Sequence, residues 1–198
     1  MLLWINGPFG GGKTHAADEI CRRLDGSFVC DPERLGYGLH RMTPPPLRND
    51  FQDLRSWRQG TLEVLDLLLS KHEGAVIVPM TVIEPAYLEE ILGPLREKGR
   101  QVRHYALMAD RATILRRVRG RSLPWRRDTH AEGKIDECLD KLGHDEFAEH
   151  ICTDELTISQ TAARIAASAG LTLRPDTSSV VRARAHRALV TIKHIRIG

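Results

Sequence analysis

A chain of 198 residues has room for one domain with a sizeable core and is tight for two. Hydrophobic residues at 41% and charged residues at 28% exclude a disordered or fibrous protein. A net charge of +3 is too small to mark a dedicated nucleic-acid binder, and no nucleic-acid partner is expected.

Leu2 to Ile5 is a short apolar run that breaks into glycines and reads as a buried strand. Lys13 to Leu24 follows with helical spacing at Ala16, Ala17, Ile20 and Leu24. Ser27 to Cys30 reads as a second strand ending at Asp31-Pro32-Glu33, and Pro44-Pro45-Pro46 marks a loop. Leu62 to Leu69 is predicted to be a helix that ends near Gly74. Ala75 to Val78, β-branched and apolar, is the clearest strand, and Pro79 is expected to stop it. Ala86 to Glu97 is predicted helical, Val102 to Met108 a strand, and Asp110 to Arg119 a helix. Gly120 to Gly133 reads as a loop, Lys134 to Leu142 as a helix, Glu149 to Thr153 as an edge strand, and Thr157 to Ala169 as an amphipathic helix.

Apolar strands alternating with helices predict an α/β fold: a five-stranded parallel sheet flanked by helices in three layers. Residues 1–175 read as one such domain with a lid segment near 117–133, and 176–198 as a basic amphipathic C-terminal helix or tail. Its stripe of Val181, Ala185, Ala188, Leu189, Ile192 and Ile195, with Arg182, Arg184, Arg187, Lys193 and Arg196 mostly off it, suits either a membrane interface or docking on the core. The N-terminus lacks a basic leader region, and the longest apolar run, Val64 to Leu69, is interrupted by Asp66. A cytoplasmic location is therefore expected, with peripheral membrane contact through the tail left open. Cys21, Cys30, Cys138 and Cys152 form no C-x-x-C pair and read as buried, reduced thiols. The histidines show no metal-ligand spacing.

The chemistry concentrates in Gly7-Pro8-Phe9-Gly10-Gly11-Gly12-Lys13-Thr14, which fits G-x-x-x-x-G-K-[ST] between a strand and a helix. The glycines allow backbone angles that turn N–H groups inward as an anion nest, and the following helix adds its unpaired N–H groups and dipole. Lys13 is expected at the β- and γ-phosphates of ATP, and the Thr14 hydroxyl at Mg2+. Asp31, directly after the second strand, stands where a general base would face the transferred phosphoryl, and it also reads as a turn residue before Pro32. Glu33 and Arg34 are weaker substrate-holding candidates. No acid follows the third strand, where Pro79-Met80-Thr81 stands instead. Arg111, Arg116, Arg117, Arg119 and Arg121 form a basic run, with Arg117 and Arg121 on one helical face as candidates to close on the phosphoryl group. Trp57 and Arg58 line an acceptor pocket or belong to the core.

Trp4-Ile5-Asn6-Gly7 with the P-loop, Asp31-Pro32-Glu33, Ile77-Val78-Pro79-Met80-Thr81, Thr153-Asp154, Pro175-Asp176-Thr177 and His194-Ile195-Arg196-Ile197 together resemble the bacterial tunicamycin-resistance protein family. That family is a branch of small P-loop proteins near the chloramphenicol phosphotransferases and shikimate-type kinases. The resemblance spans the chain and implies a nucleotide-kinase-like fold with the first strand central. It also implies an ATP-binding protein that protects against tunicamycin, a nucleoside antibiotic carrying uracil and sugars. Asp31 matches the carboxylate such kinases use as base, whereas the lid segment departs from their pattern in length and composition. Phosphorylation of an antibiotic hydroxyl is the leading expectation. ATP-dependent sequestration without chemistry, and a housekeeping nucleoside or sugar kinase, are the alternatives.

Overall fold

The computed structural model describes residues 1–121, 128–147 and 149–176, with the Arg121 side chain outside that set. The tail reading therefore lies outside the described residues from position 177 onward, as does the central part of the lid segment, 122–127.

Five strands form one parallel sheet: β1 (Leu2–Asn6), β2 (Phe28–Val29), β3 (Val76–Pro79), β4 (Val102–Met108) and β5 (His150–Cys152), in the order β2-β3-β1-β4-β5. β1 is central and every residue in it is buried. Its side chains alternate between two cores, as the two-residue strand period requires. Leu2 and Trp4 join Val76 and Val78 under α3 (Arg55–Lys71), α4 (Pro85–Glu97) and α7 (Ile135–Leu142). Leu3 and Ile5 join Ile77, Tyr105 and Ile151 under α1 (Lys13–Arg23) and α8 (Ile158–Ser168). A third cluster packs Ile114 and Val118 of α5 (Arg111–Arg121) on Ala131 of α6 (Thr129–Gly133) and Ile135 of α7. α8 starts in a capping box in which Thr157 and Gln160 satisfy each other's backbone N–H groups.

Several local expectations need correction. Helix α2 (Glu33–Met42) was not anticipated, because Gly36 and Gly38 lower helical propensity. Gly36 is required there: a Cβ would lie 2.5 Å from the Phe51 ring. Helix α3 begins seven residues before the predicted Leu62, because its polar first turns bury Trp57, Arg58 and Thr61. Pro79 does not stop β3 but belongs to it, opposite Ile5, and Met80 N–H carries the ladder on to the Ile5 carbonyl at 3.1 Å. The expected loop at 120–133 contains α6, nucleated by Asp128, whose side chain accepts from Ala131 N–H at 3.0 Å. Of the four free cysteines only Cys138 is buried; Cys21 and Cys30 are half-buried and Cys152 is exposed. Among the described residues, no helix is long and apolar enough to cross a membrane.

Candidate functional site

All five strands point the same way, so their carboxyl ends form one edge. In such a sheet, ligands bind beyond that edge, near the point where strand order reverses around the central strand. Residues 7–12 leave β1 there and turn into α1. Gly7, Gly10 and Gly12 have φ of 145°, 80° and 92°, the left-handed side that disfavours any Cβ. At Gly7 a Cβ would meet the Leu107 carbonyl oxygen at 2.8 Å, and at Gly10 it would meet Val118 Cγ2 at the same distance. β4 and α5 therefore press the loop from behind. At Gly12 a Cβ would face open space, with nothing within 4 Å. Helix α1 starts at that residue without a side-chain cap, so its first turn presents its dipole to whatever occupies the open side.

Lys13 turns back onto the loop: Nζ donates to the Gly7 carbonyl at 2.9 Å and the Pro8 carbonyl at 3.0 Å, and lies 5.9 Å from the centre of the Phe9 ring. The Phe9 ring meets His130 of α6 edge-on at 5.8 Å. Burial pushes the Cys138 thiol of α7 up, against the pull of the Lys13 charge and of a backbone hydrogen bond from Phe9. Helices α6 and α7 are thus seated on the Gly7–Thr14 loop itself.

Sequence reasoning gave Asn6 and Thr81 no role in the site, although both lie in stretches that carry the family resemblance. The buried Asn6 carboxamide accepts from Gly7 N–H at 2.9 Å and Val82 N–H at 3.0 Å, and donates to the Val82 carbonyl at 2.8 Å. Thr81 Oγ1 donates to the Gly7 carbonyl at 2.9 Å. An asparagine ending an apolar strand directly before the loop was the visible signal for the first. For the second, the signal was its place in the Ile77–Thr81 stretch that carries the family resemblance.

Asp31 follows β2, whose end is tied to β3 by the Cys30 N–H on the Ile77 carbonyl at 2.9 Å. Its side chain is nearly buried; Oδ1 accepts from Glu33 N–H at 3.1 Å and Oδ2 lies 4.0 Å from Arg34 Nε. The Asp31 side chain therefore makes the turn that its place before Pro32 suggested. Burial, with the Asp31 charge adding to it, pushes the neighbouring Cys30 thiol up to about 11. Glu33 accepts from Tyr37 Oη at 3.0 Å. Met80 is buried where an acid was sought after β3, and among the described residues no group of three His, Cys, Asp or Glu is arranged to hold a metal ion. Thr14, at the start of α1, is half-buried.

The arginines of the basic run divide among several partners. Arg111 pairs with Asp136 of α7 at 2.6 Å and Arg119 with Glu132 of α6 at 3.3 Å. Arg116 donates to Thr113 Oγ1 at 3.2 Å. Arg117 donates to the Thr153 hydroxyl at 3.0 Å and the Thr153 carbonyl at 2.7 Å, beyond the end of β5, and burial lowers its pKa. Trp57 is fully buried, with Nε1 donating to the Pro32 carbonyl at 3.0 Å. Arg58 pairs with Glu90 at 2.7 Å and its Cζ lies 4.2 Å from the centre of the Tyr87 ring. Trp57 is therefore a core residue, and Arg58 ties α3 to α4.

Comparison with known proteins places this arrangement. The family described as an AAA domain matches residues 2–142. Among solved structures, the tunicamycin resistance protein of Deinococcus radiodurans is 33% identical over 88% of this chain and 98% of its own, with a TM-score of 0.73. A sugar kinase from a Janibacter species is 17% identical over 86% of this chain and 95% of its own, with a TM-score of 0.61. A shikimate kinase from Bacteroides thetaiotaomicron is 17% identical over 86% of this chain and 99% of its own, with a TM-score of 0.57. The last two establish the kinase-like fold. Among curated protein sequences, none matches this chain.

Proposed function

The chain belongs to the tunicamycin-resistance protein family, with an AAA-domain match over most of its length, and from that premise we propose that it transfers a phosphoryl group from ATP to a hydroxyl of a nucleoside antibiotic of the tunicamycin type. The observation that carries this reading is the placement of Asp31. It leaves the carboxyl end of β2, one strand removed from β1, so the carboxylate and the Gly7–Thr14 loop share one edge of the sheet across β3.

Residues 7–12 and the first turn of α1 bind the triphosphate through backbone N–H groups. Lys13 leaves the loop carbonyls for the β- and γ-phosphate oxygens and offsets charge that builds on the transferred group. The Thr14 hydroxyl would hold a magnesium ion carried in with the nucleotide, which would supply charge neutralisation at the phosphate oxygens. Asp31 accepts the proton of the acceptor hydroxyl as its oxygen bonds to the γ-phosphorus and the bond to the departing ADP breaks. Arg117, which the structure bonds to Thr153, would have to leave that partner to reach the phosphoryl group, and Arg121, one helical turn further along α5, is retained as a candidate for it.

The test is mass spectrometry of tunicamycin after incubation with the protein, magnesium and ATP, with Lys13→Ala as control. A phosphoryl-sized gain in mass that the control lacks is expected. No gain, with both ATP and the drug bound, would overturn transfer to this acceptor. The buried Met80 in place of an acid favours one second reading, ATP-dependent sequestration of the drug without chemistry. Protection that survives Asp31→Asn would select it.

A further inference from the structure

The Gly7 carbonyl oxygen accepts from two donors at once, Lys13 Nζ and Thr81 Oγ1, each at 2.9 Å. A carbonyl has two lone pairs, so in this state the oxygen is fully satisfied. The two donors differ in what ties them down. Lys13 sits on a long chain with rotatable bonds at a half-buried position. Thr81 is β-branched and buried, on a segment stitched to Asn6 through both the N–H and the carbonyl of Val82. Asn6 Oδ1 takes the N–H of Gly7 on the other side of the same residue. The backbone of Gly7 is therefore gripped at both its N–H and its carbonyl by groups that do not depend on Lys13.

A buried carbonyl that loses its only donor bears the desolvation cost of an unsatisfied acceptor. Had Lys13 been the sole partner of the Gly7 carbonyl, any ligand drawing the ammonium away would have to meet that cost. The same hydroxyl occupies the segment after β3 where an acid was sought.

We infer that Thr81 is a positioning residue of the phosphate loop: it retains the Gly7 carbonyl when Lys13 leaves for a phosphate, while Asn6 splints the Gly7 N–H, so that the loop keeps its shape through the exchange. The inference rests on the reading of Gly7–Thr14 as a nucleotide site. No bond to phosphorus is made or broken by either residue.

Two measurements test it. The first needs no nucleotide: a thermodynamic cycle on Thr81→Val, Lys13→Met and the double variant, followed by urea unfolding. Each single variant leaves the carbonyl one donor and loses little, whereas the double variant leaves it none and loses more than the sum. Additive losses would overturn the shared-acceptor role. The second is ATP–magnesium affinity by calorimetry. Thr81→Val is expected to bind about tenfold more weakly with its ligand-free melting temperature near that of the parent, and Thr81→Ser to restore affinity. Parental affinity in Thr81→Val, or no rescue by Ser, would overturn the hand-over alone. Absence of ATP binding by the parent protein would overturn the nucleotide reading and the hand-over with it, and the ligand-free cycle would still judge the shared acceptor.

Discussion

The indole N–H of Trp57 donates to the carbonyl of Pro32 at 3.0 Å in the buried interior, and this bond fastens α3 to the turn that carries Asp31. The candidate base is therefore held from both sides: by its own Oδ1 on Glu33 N–H, and by a core indole one residue beyond it. Trp57→Phe removes the donor and leaves the carbonyl buried. A loss of about 1–3 kcal/mol in unfolding free energy is expected, from the lost indole hydrogen bond and the missing ring atoms, while the Pro32 carbonyl keeps the Gly36 N–H at 3.3 Å. If the bond orients Asp31, kcat falls while ATP affinity holds. Steady-state kinetics on the same variant read both, and a change confined to ATP affinity would contradict this link.

Asp31→Asn keeps the turn bond, because the amide oxygen still accepts from Glu33 N–H, and removes the proton acceptor. Phosphoryl transfer is expected to drop by about 10²–10⁴-fold with ATP binding preserved. Single-turnover rates beside a nucleotide titration separate the two effects.

Gly10 and Gly12 both adopt positive φ but differ in surroundings, which makes them a matched pair. Gly12→Ala carries only the left-handed backbone cost, about 1–2 kcal/mol, because nothing lies within 4 Å of the new Cβ. Gly10→Ala adds a clash with Val118 Cγ2 at 2.8 Å and should cost about 1–3 kcal/mol more. Melting curves of the two variants give the order directly.

Thiol accessibility provides a check on the packing. Cys152 is exposed, while Cys138 is buried beside Phe9 of the Gly7–Thr14 loop and Cys30 has its thiol pushed up to about 11 by burial and the Asp31 charge. At pH 8, an alkylating reagent should modify Cys152 first and leave Cys30 and Cys138 intact until unfolding. Peptide mapping of the alkylated protein reads the order.

Acid should loosen the fold through carboxylates held below their ordinary values. Asp66 is lowered by its bond from Lys98, Asp136 by Arg111, Glu137 by Lys134, and Asp154 by Thr113 and the Asp110 N–H. A depressed folded-state pKa means stability that is present above the unfolded values, 3.8 for Asp and 4.5 for Glu, and lost as pH falls through the lower folded values. Melting temperature should therefore hold from pH 7 to about 5 and fall below about 4. Asp136→Asn should flatten that fall, since Arg111 then has no carboxylate to lose.

What the sequence determined by itself was everything carried by short-range pattern. The glycine spacing from Gly7 to Gly12, the Lys13-Thr14 pair, the apolar runs of β1, β3 and β4, and the 3.6-residue periodicity of α1 and α8 are local properties of the chain. Their physics acts within a few positions, so they are readable without a fold. Tertiary structure decided the rest. It made Gly36 a helical residue beneath Phe51, placed Trp57 and Arg58 in supporting positions, and distributed the α5 arginines among Asp136, Glu132 and Thr153. It also joined Asn6 to Val82 across 76 positions of chain. Each of these depends on which strand lies beside which: the sheet order brings β3 against β1, and only that adjacency lets Thr81 reach the carbonyl of Gly7.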